Sequence, residues 1–194
     1  MASWRLSPTN GPADSNEPAP EAVVPPSEDL EAAERAGARI VAYDPRRMRD
    51  FVLGRITLGE LEGINKRAQY ELAELGYGYL QAGQHEEALR IFRGLALLDP
   101  YDAYFQLALG WIAHKERRLD DAEQHLSRSL AINPYSVAAH TSRGEVRLLR
   151  GQIAEAVEDL EAAIELDPEA NDPATHRAVA LVEGLRLEVQ RATH

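Results

Sequence analysis

Pro100, Pro134 and Pro168 stand 34 residues apart, and the same step separates Ala88, Ala122 and Ala156 as well as Gly76, Gly110 and Gly144. Three residue types returning in register over three copies mean that one supersecondary unit is stacked on itself, because a unit of that size cannot bury its apolar face alone. Ala, Leu and Glu dominate between the markers and only 6% of residues are aromatic, a balance that favours helix over strand. The fold class expected is all-α. In each copy the glycine and the alanine fall on two successive helical segments, at a close crossing that leaves no room for bulk. The proline then ends the second segment, since it lacks an N–H and restricts the residue before it. Asp99, Asn133 and Asp167 precede the prolines and supply turn chemistry. The helices read as 69–82 and 85–98, 103–116 and 119–132, 137–150 and 153–166. A last helix opens with Asp172 as N-cap and Pro173 in first position, runs through Ala178, Leu181, Val182 and Leu185, and reads as a solvating C-terminal cap.

Thirty-four residues is the period of the tetratricopeptide repeat. With the proline as position 32, the first copy resembles that family's pattern at Leu75, Gly76, Tyr79, Ala88, Phe92 and Pro100. The second keeps Leu109, Gly110, Ala122 and Pro134 with Leu126 for the aromatic, and the third keeps Gly144, Ala156, Ala163 and Pro168 with Leu160. The resemblance implies a superhelix of three repeats over residues 67–194, with short helices before it and the cap after. One departure stands out: His140, Arg143 and Arg147 occupy third-repeat positions that the family fills with apolar packing residues. Either that helix is rotated, or this face is exposed and pairs with acids such as Glu155 or Asp159.

The lead-in is of another character. Residues 1–28 hold six of the eleven prolines and read as a disordered tail, too poor in apolar surface to offset its ordering entropy. Residues 29–66 read as short helices: Leu30, Ala33, Ala36, Ile40 and Val41 share one face up to Pro45, Met48, Phe51 and Val52 lie on a second helix closed by Gly54, and Thr57-Leu58-Gly59-Glu60 has capping-box spacing. The first residues show no apolar signal-peptide core, and no stretch reaches the 18 apolar residues that span a bilayer, so a cytoplasmic protein without membrane insertion is expected.

A formal charge of -11 argues against nucleic acid as a partner, because phosphate binding needs clustered Lys and Arg. Cysteine is absent, the six histidines show no metal-ligand spacing, and the glycines are used at crossings and helix ends rather than in a phosphate-binding loop. No cofactor, no metal and no catalytic residue is expected, and the chain does not read as an enzyme. A binding surface does emerge. Positions 2, 5, 9 and 12 of each first helix differ by 3, 4 and 3, which makes one stripe, and stacking sets the stripes side by side on the concave wall. The first repeat offers Tyr70, Ala73, Tyr77 and Leu80; the second offers Tyr104, Leu107, Trp111 and His114, with Lys115 at the edge; the third offers Ala138, Thr141, Glu145 and Leu148. These aromatics are either core or the wall of a peptide-binding groove. The second reading is favoured because Leu72, Leu75, Gly76, Ile91 and Phe92 already fill the inter-helix positions, and a large exposed apolar face marks a binding site.

Tetratricopeptide proteins that grip heat-shock chaperone tails share a clamp of Lys, Asn and basic residues. Here its places hold Ala73, Tyr77, Ala108, Ala138 and Ser142, so that function is not implied. The run from Gly54 through Ile64-Asn65, continuing through Gln81-Ala-Gly-Gln-His-Glu-Glu-Ala88 and Ile91-Phe92 to Leu98-Asp-Pro-Tyr-Asp102, resembles instead the class II chaperones of type III secretion, the SycD and LcrH group. That resemblance implies a protein or peptide client, a secreted hydrophobic translocator subunit, held as an extended segment in the concave groove. It also implies a homodimer formed through residues 30–64. The alternative is a scaffold or assembly subunit that joins other proteins through the same repeats.

Overall fold

The computed structural model of the chain describes residues 44–192. The tail of residues 1–28 and the helix expected over Leu30–Val41 lie outside the described residues. The described residues fall into two units, 44–56 and 57–192. In the first, helix α1 (Pro45–Val52) begins at the proline expected to stop the preceding run. Asp44 caps it, its Oδ1 accepting from the Arg46 N–H at 2.9 Å, and Gly54 follows with φ +67°.

The second unit holds the repeats. Helix α2 (Leu58–Leu61) carries the expected capping box: Glu60 N–H donates to Thr57 Oγ1 at 3.2 Å, and Thr57 N–H to Glu60 Oε2 at 2.7 Å. Gly59 and Leu61 are buried, and a Cβ on Gly59 would meet the Gln69 amide at 2.6 Å. This short helix therefore packs with the repeats.

Three helical hairpins follow: α3 (Lys66–Gln81) with α4 (His85–Leu98), α5 (Ala103–Lys115) with α6 (Leu119–Ile132), and α7 (Val137–Leu149) with α8 (Ile153–Leu166). Asn65, Asp102 and Ser136 cap the first helix of each hairpin with side-chain oxygens. The turn inside each hairpin needs one left-handed residue, supplied by Gly83, Arg117 and Gly151 at φ +75°, +62° and +77°. The turns between hairpins use the residue before each proline, whose side chain accepts the backbone N–H of Tyr101, Tyr135 or Asn171 at 3.0 to 3.1 Å.

The small residues do what their spacing implies. Ala88, Ala122 and Ala156 are fully buried, and a Cβ on Gly110 or Gly144 would stand 2.7 or 2.8 Å from Leu126 or Leu160 Cγ. Each hairpin thus closes on a glycine facing one large residue, Phe92, Leu126 or Leu160, all fully buried.

Two expectations need correction. Leu72 and Leu75 are not inter-helix residues: they are 43% and 51% exposed. One period later, Gln106 and Leu109 are buried at 7% and 3%, because α5 has the second helix of a preceding repeat to pack on. Within its unit, α3 follows no such repeat. The other correction concerns α9 (Pro173–Ala192), capped as expected by Asp172 Oδ1, which accepts from the Ala174 N–H at 2.7 Å. It is more than a solvating cap. Ala178 falls 34 residues after Gly144 and is fully buried, so α9 takes the place of the first helix of a further repeat, docked on α8 and α7 through Ala178 and Val182.

The third repeat's polar face resolves in favour of pairing without rotation, since Gly144 keeps its register. The Arg143 guanidinium grips Asp159 with Nε 2.8 Å from Oδ2 and Nη2 2.7 Å from Oδ1. Arg147 reaches the same carboxylate at 2.8 Å and Glu123 at 3.0 Å, and His140 Nδ1 lies 3.1 Å from Asp159 Oδ1. Glu155 contributes only its carbonyl, to Arg147. Nor is the face exposed: Asp159 is 3% exposed, so an ionic core joins α6, α7 and α8 where the second repeat has a Gln106–His125 contact of 3.0 Å and the first has Leu72 and Ile91. Burial acts to raise the Asp159 pKa, but the hydrogen bonds from Arg143 and His140 and the charges of Arg143 and Arg147 outweigh it and hold the carboxyl below its ordinary value.

Candidate peptide-binding groove

The first helices of the repeats, α3, α5, α7 and α9, line one recess of about 880 Å³. An aromatic wall rises from its first two helices. Tyr70 stacks on Tyr104 with ring centroids 6.4 Å apart, Tyr104 meets Trp111 edge-on at 6.4 Å, and Tyr77 tilts against Trp111 at 6.3 Å. Tyr70 and Tyr77 are 44% and 40% exposed, whereas Tyr104 and Trp111 are half-buried. The wall is thus neither pure core nor loose surface. Phe92 and Phe105, fully buried, back it from inside, 6.0 Å and 6.3 Å from the Tyr104 ring.

Hydrogen bonds fix two of the rings. Trp111 Nε1–H donates to Ser142 Oγ at 2.9 Å, which ties the indole to α7. Tyr70 O–H donates to Asp102 Oδ2 at 2.8 Å, and Lys66 Nζ binds that oxygen at 3.0 Å and also pairs with Asp99. Burial and the Asp102 hydrogen bond push the Tyr70 pKa up, and burial does the same for Tyr104, so both stay neutral donors at neutral pH. Further along, His114 is half-buried, and burial, partly countered by Glu145, holds its pKa down. Glu145 in turn accepts from Arg177 Nε at 3.1 Å.

Of the side chains placed on the concave wall from sequence, the structure brings Tyr77, Leu80, Trp111, His114, Lys115, Ala138 and Glu145 to the main recess and Leu148 to its continuation. Tyr70 and Tyr104 join them through ring contact. Ala73, Leu107 and Thr141 do not reach the open wall: they are buried at 1%, 6% and 0%. All three are position 5, which turns beneath the neighbouring first helix, and Thr141 Oγ1–H donates to the Ala174 carbonyl of α9 at 3.2 Å. Missed from sequence were Ser142 and the α9 residues Ala174, Arg177 and Leu181. The available signal was the step from Gly144 to Ala178, which makes α9 a groove helix. Among the described residues no helix is long and apolar enough to cross a membrane, and no three acidic, histidine or cysteine side chains gather as a metal site.

A stack of helical hairpins around a concave aromatic wall defines a tetratricopeptide-repeat protein, and two family profiles described as "Tetratricopeptide repeat" match residues 73–137 and 137–169. Low calcium response locus protein H of Yersinia pseudotuberculosis is 30% identical over 153 residues, covering 73% of this chain and 85% of that protein. The type III secretion translocator chaperone SycD of Yersinia enterocolitica superposes with a TM-score of 0.60 at 28% identity, over 66% of this chain and 97% of SycD. SycD in complex with a peptide of the translocator YopD gives 0.58 at 28% identity, over 64% and 97%. The chain belongs to the family of tetratricopeptide-repeat chaperones of type III secretion that includes these proteins.

Proposed function

We propose that this protein is a cytoplasmic chaperone that holds a hydrophobic translocator subunit of a type III secretion system before export, gripping an extended segment of it in the concave groove. The observation that carries this reading is the partly exposed aromatic wall of Tyr70, Tyr77, Tyr104 and Trp111, held by ring-to-ring packing and by the hydrogen bonds of Tyr70 and Trp111. Rings held in this way lose little freedom on binding, so the apolar area they offer is not offset by ordering the receptor. That the relative SycD is solved in complex with a peptide of the translocator YopD supports a translocator peptide as the client. The work of the site is binding, and its hydrogen-bonded groups serve to position rings rather than to activate a nucleophile.

Each client side chain buried in the groove contributes roughly 1.5–3 kcal/mol, and ordering the segment costs several kcal/mol, so two or three anchors acting together are required for micromolar affinity. Co-expression with the translocator genes of the same organism, followed by pull-down, tests the proposal. A hydrophobic secreted subunit should copurify in stoichiometric amount and be lost with Trp111→Ala. Recovery of a fixed component of the secretion machine in its place would make the protein a scaffold.

A further inference from the structure

Beyond the aromatic recess the groove does not end. A second recess of about 410 Å³ opens between α7 and α9, walled by Leu148, Leu149, Ala180 and Leu181. It shares His114, Glu145 and Arg177 with the first recess, so the two are continuous, and the Arg177–Glu145 ion pair with the His114 ring stands at the junction. The walls differ in kind: the first is built on Tyr77 and Trp111, whereas the second has no Tyr, Trp or Phe and, beyond the shared His114, Glu145 and Arg177, is aliphatic.

We infer that the groove has two subsites and that the second, made by the C-terminal helix, takes a large aliphatic side chain of the same extended client segment whose first anchor lies on Tyr77 and Trp111. This rests on the groove reading of the preceding subsection and adds to it the chemistry of the occupant. Walls that are aliphatic apart from the polar groups at the junction select by size and apolarity, so Leu, Ile or Met fits there. The junction sets what lies between the anchors. The Arg177–Glu145 ion pair and the half-buried His114 ring stand there, so polar residues of the client fit between the two apolar anchors. Spacing follows from the helices. Neighbouring first helices stand about 10 Å apart and an extended chain advances about 3.3 Å per residue. The two anchors, two helix spacings apart, are therefore about six residues apart in the client.

The test pans a display library of random 16-residue peptides against the full chain, against Trp111→Ala and against Ala180→Phe. Ala180 is exposed, so the ring fills the second recess without disturbing the core, and an unchanged melting temperature verifies that. The expected result is enrichment, on the parent chain, of peptides with an apolar anchor followed about six residues later by Leu, Ile or Met. Ala180→Phe should abolish selection at the second anchor alone and weaken recovered two-anchor peptides at least 10-fold. Peptides with a single apolar cluster that bind Ala180→Phe as tightly as the parent would overturn the second subsite and leave the groove reading intact. Failure to enrich any peptide, or indifference of the enriched set to Trp111→Ala, would overturn both.

Discussion

Removing the carboxylate of Asp159 should be among the most damaging single changes in the repeats. Asp159→Ala takes four interactions from a side chain that is 3% exposed: two from Arg143, at 2.8 and 2.7 Å, one from Arg147 at 2.8 Å and one from His140 at 3.1 Å. Breaking a buried ion pair by removing one partner generally costs 3–5 kcal/mol, because the other charge is left without compensation. Here Arg147 keeps Glu123 at 3.0 Å, while Arg143 keeps only Ser127 Oγ at 3.2 Å, so one guanidinium carries most of the loss. Each guanidinium is 18% exposed and recovers some hydration, which places the cost near the lower end, at about 3 kcal/mol. For a chain of this length that is a fall of about 6–12 °C in melting temperature. Denaturant unfolding and thermal melts read it directly. The double variant Asp159→Ala with Arg143→Met removes the stranded charge together with its partner, and should lose less than Asp159→Ala alone. A single-variant cost under about 1 kcal/mol, or a double variant that is worse than the single, would refute the reasoning.

Further outcomes follow from the same structure. Because the Asp159 carboxyl is depressed below its ordinary 3.8, its contribution is complete above that pH and is lost as pH falls through the lower folded value; below about pH 4 the parent should lose stability more steeply than Asp159→Asn, as melts across an acid series would show. Ala122→Leu should overpack a fully buried crossing and cost roughly 1–3 kcal/mol, and an unchanged melt would make the repeat register wrong. Arg117→Gly, at φ +62° where the other two hairpins have glycine, should stabilise by up to about 1 kcal/mol, with any loss counting against strain at that turn.

The helical hairpins were legible in the sequence because steric markers set them. A proline, an alanine and a glycine recurring every 34 residues each forbid something, so helix ends fall within three residues of expectation and the crossings fall on the expected atoms. The groove was legible only in part, since periodicity assigns a face and not the depth of a side chain on it. Position 5 lies on the concave face in a helical wheel, yet Ala73, Leu107 and Thr141 are covered by the next first helix, something only the stacking of repeats decides. Leu72 and Leu75 carry the opposite lesson, for their position is buried only where a preceding repeat exists. The ionic core around Asp159 is visible in the sequence as an irregularity with Asp159 as one of two candidate partners, but whether such a face is exposed or buried depends on a third helix, α6, that supplies Glu123 and Ser127. The part played by α9 was hidden because alanine, standing where glycine stood in three earlier copies, carries no signal by itself.

The central claim is that the aromatic wall binds while the residues behind it hold the fold, and the contrast of Trp111 with Phe92 tests it most directly. Phe92 is fully buried, and Phe92→Ala should cost about 3–5 kcal/mol of stability. Trp111 is half-buried, at the meeting point of Tyr77, Tyr104 and Ser142. The measurement is calorimetric titration of the translocator segment that copurifies with the protein, run beside thermal melts of the parent chain and both variants. Trp111→Ala is predicted to weaken binding by about 2 kcal/mol, roughly 30-fold, with the melting temperature nearly unchanged. Loss of the fold on Trp111→Ala, or undiminished affinity in a folded Trp111→Ala variant, would contradict the account.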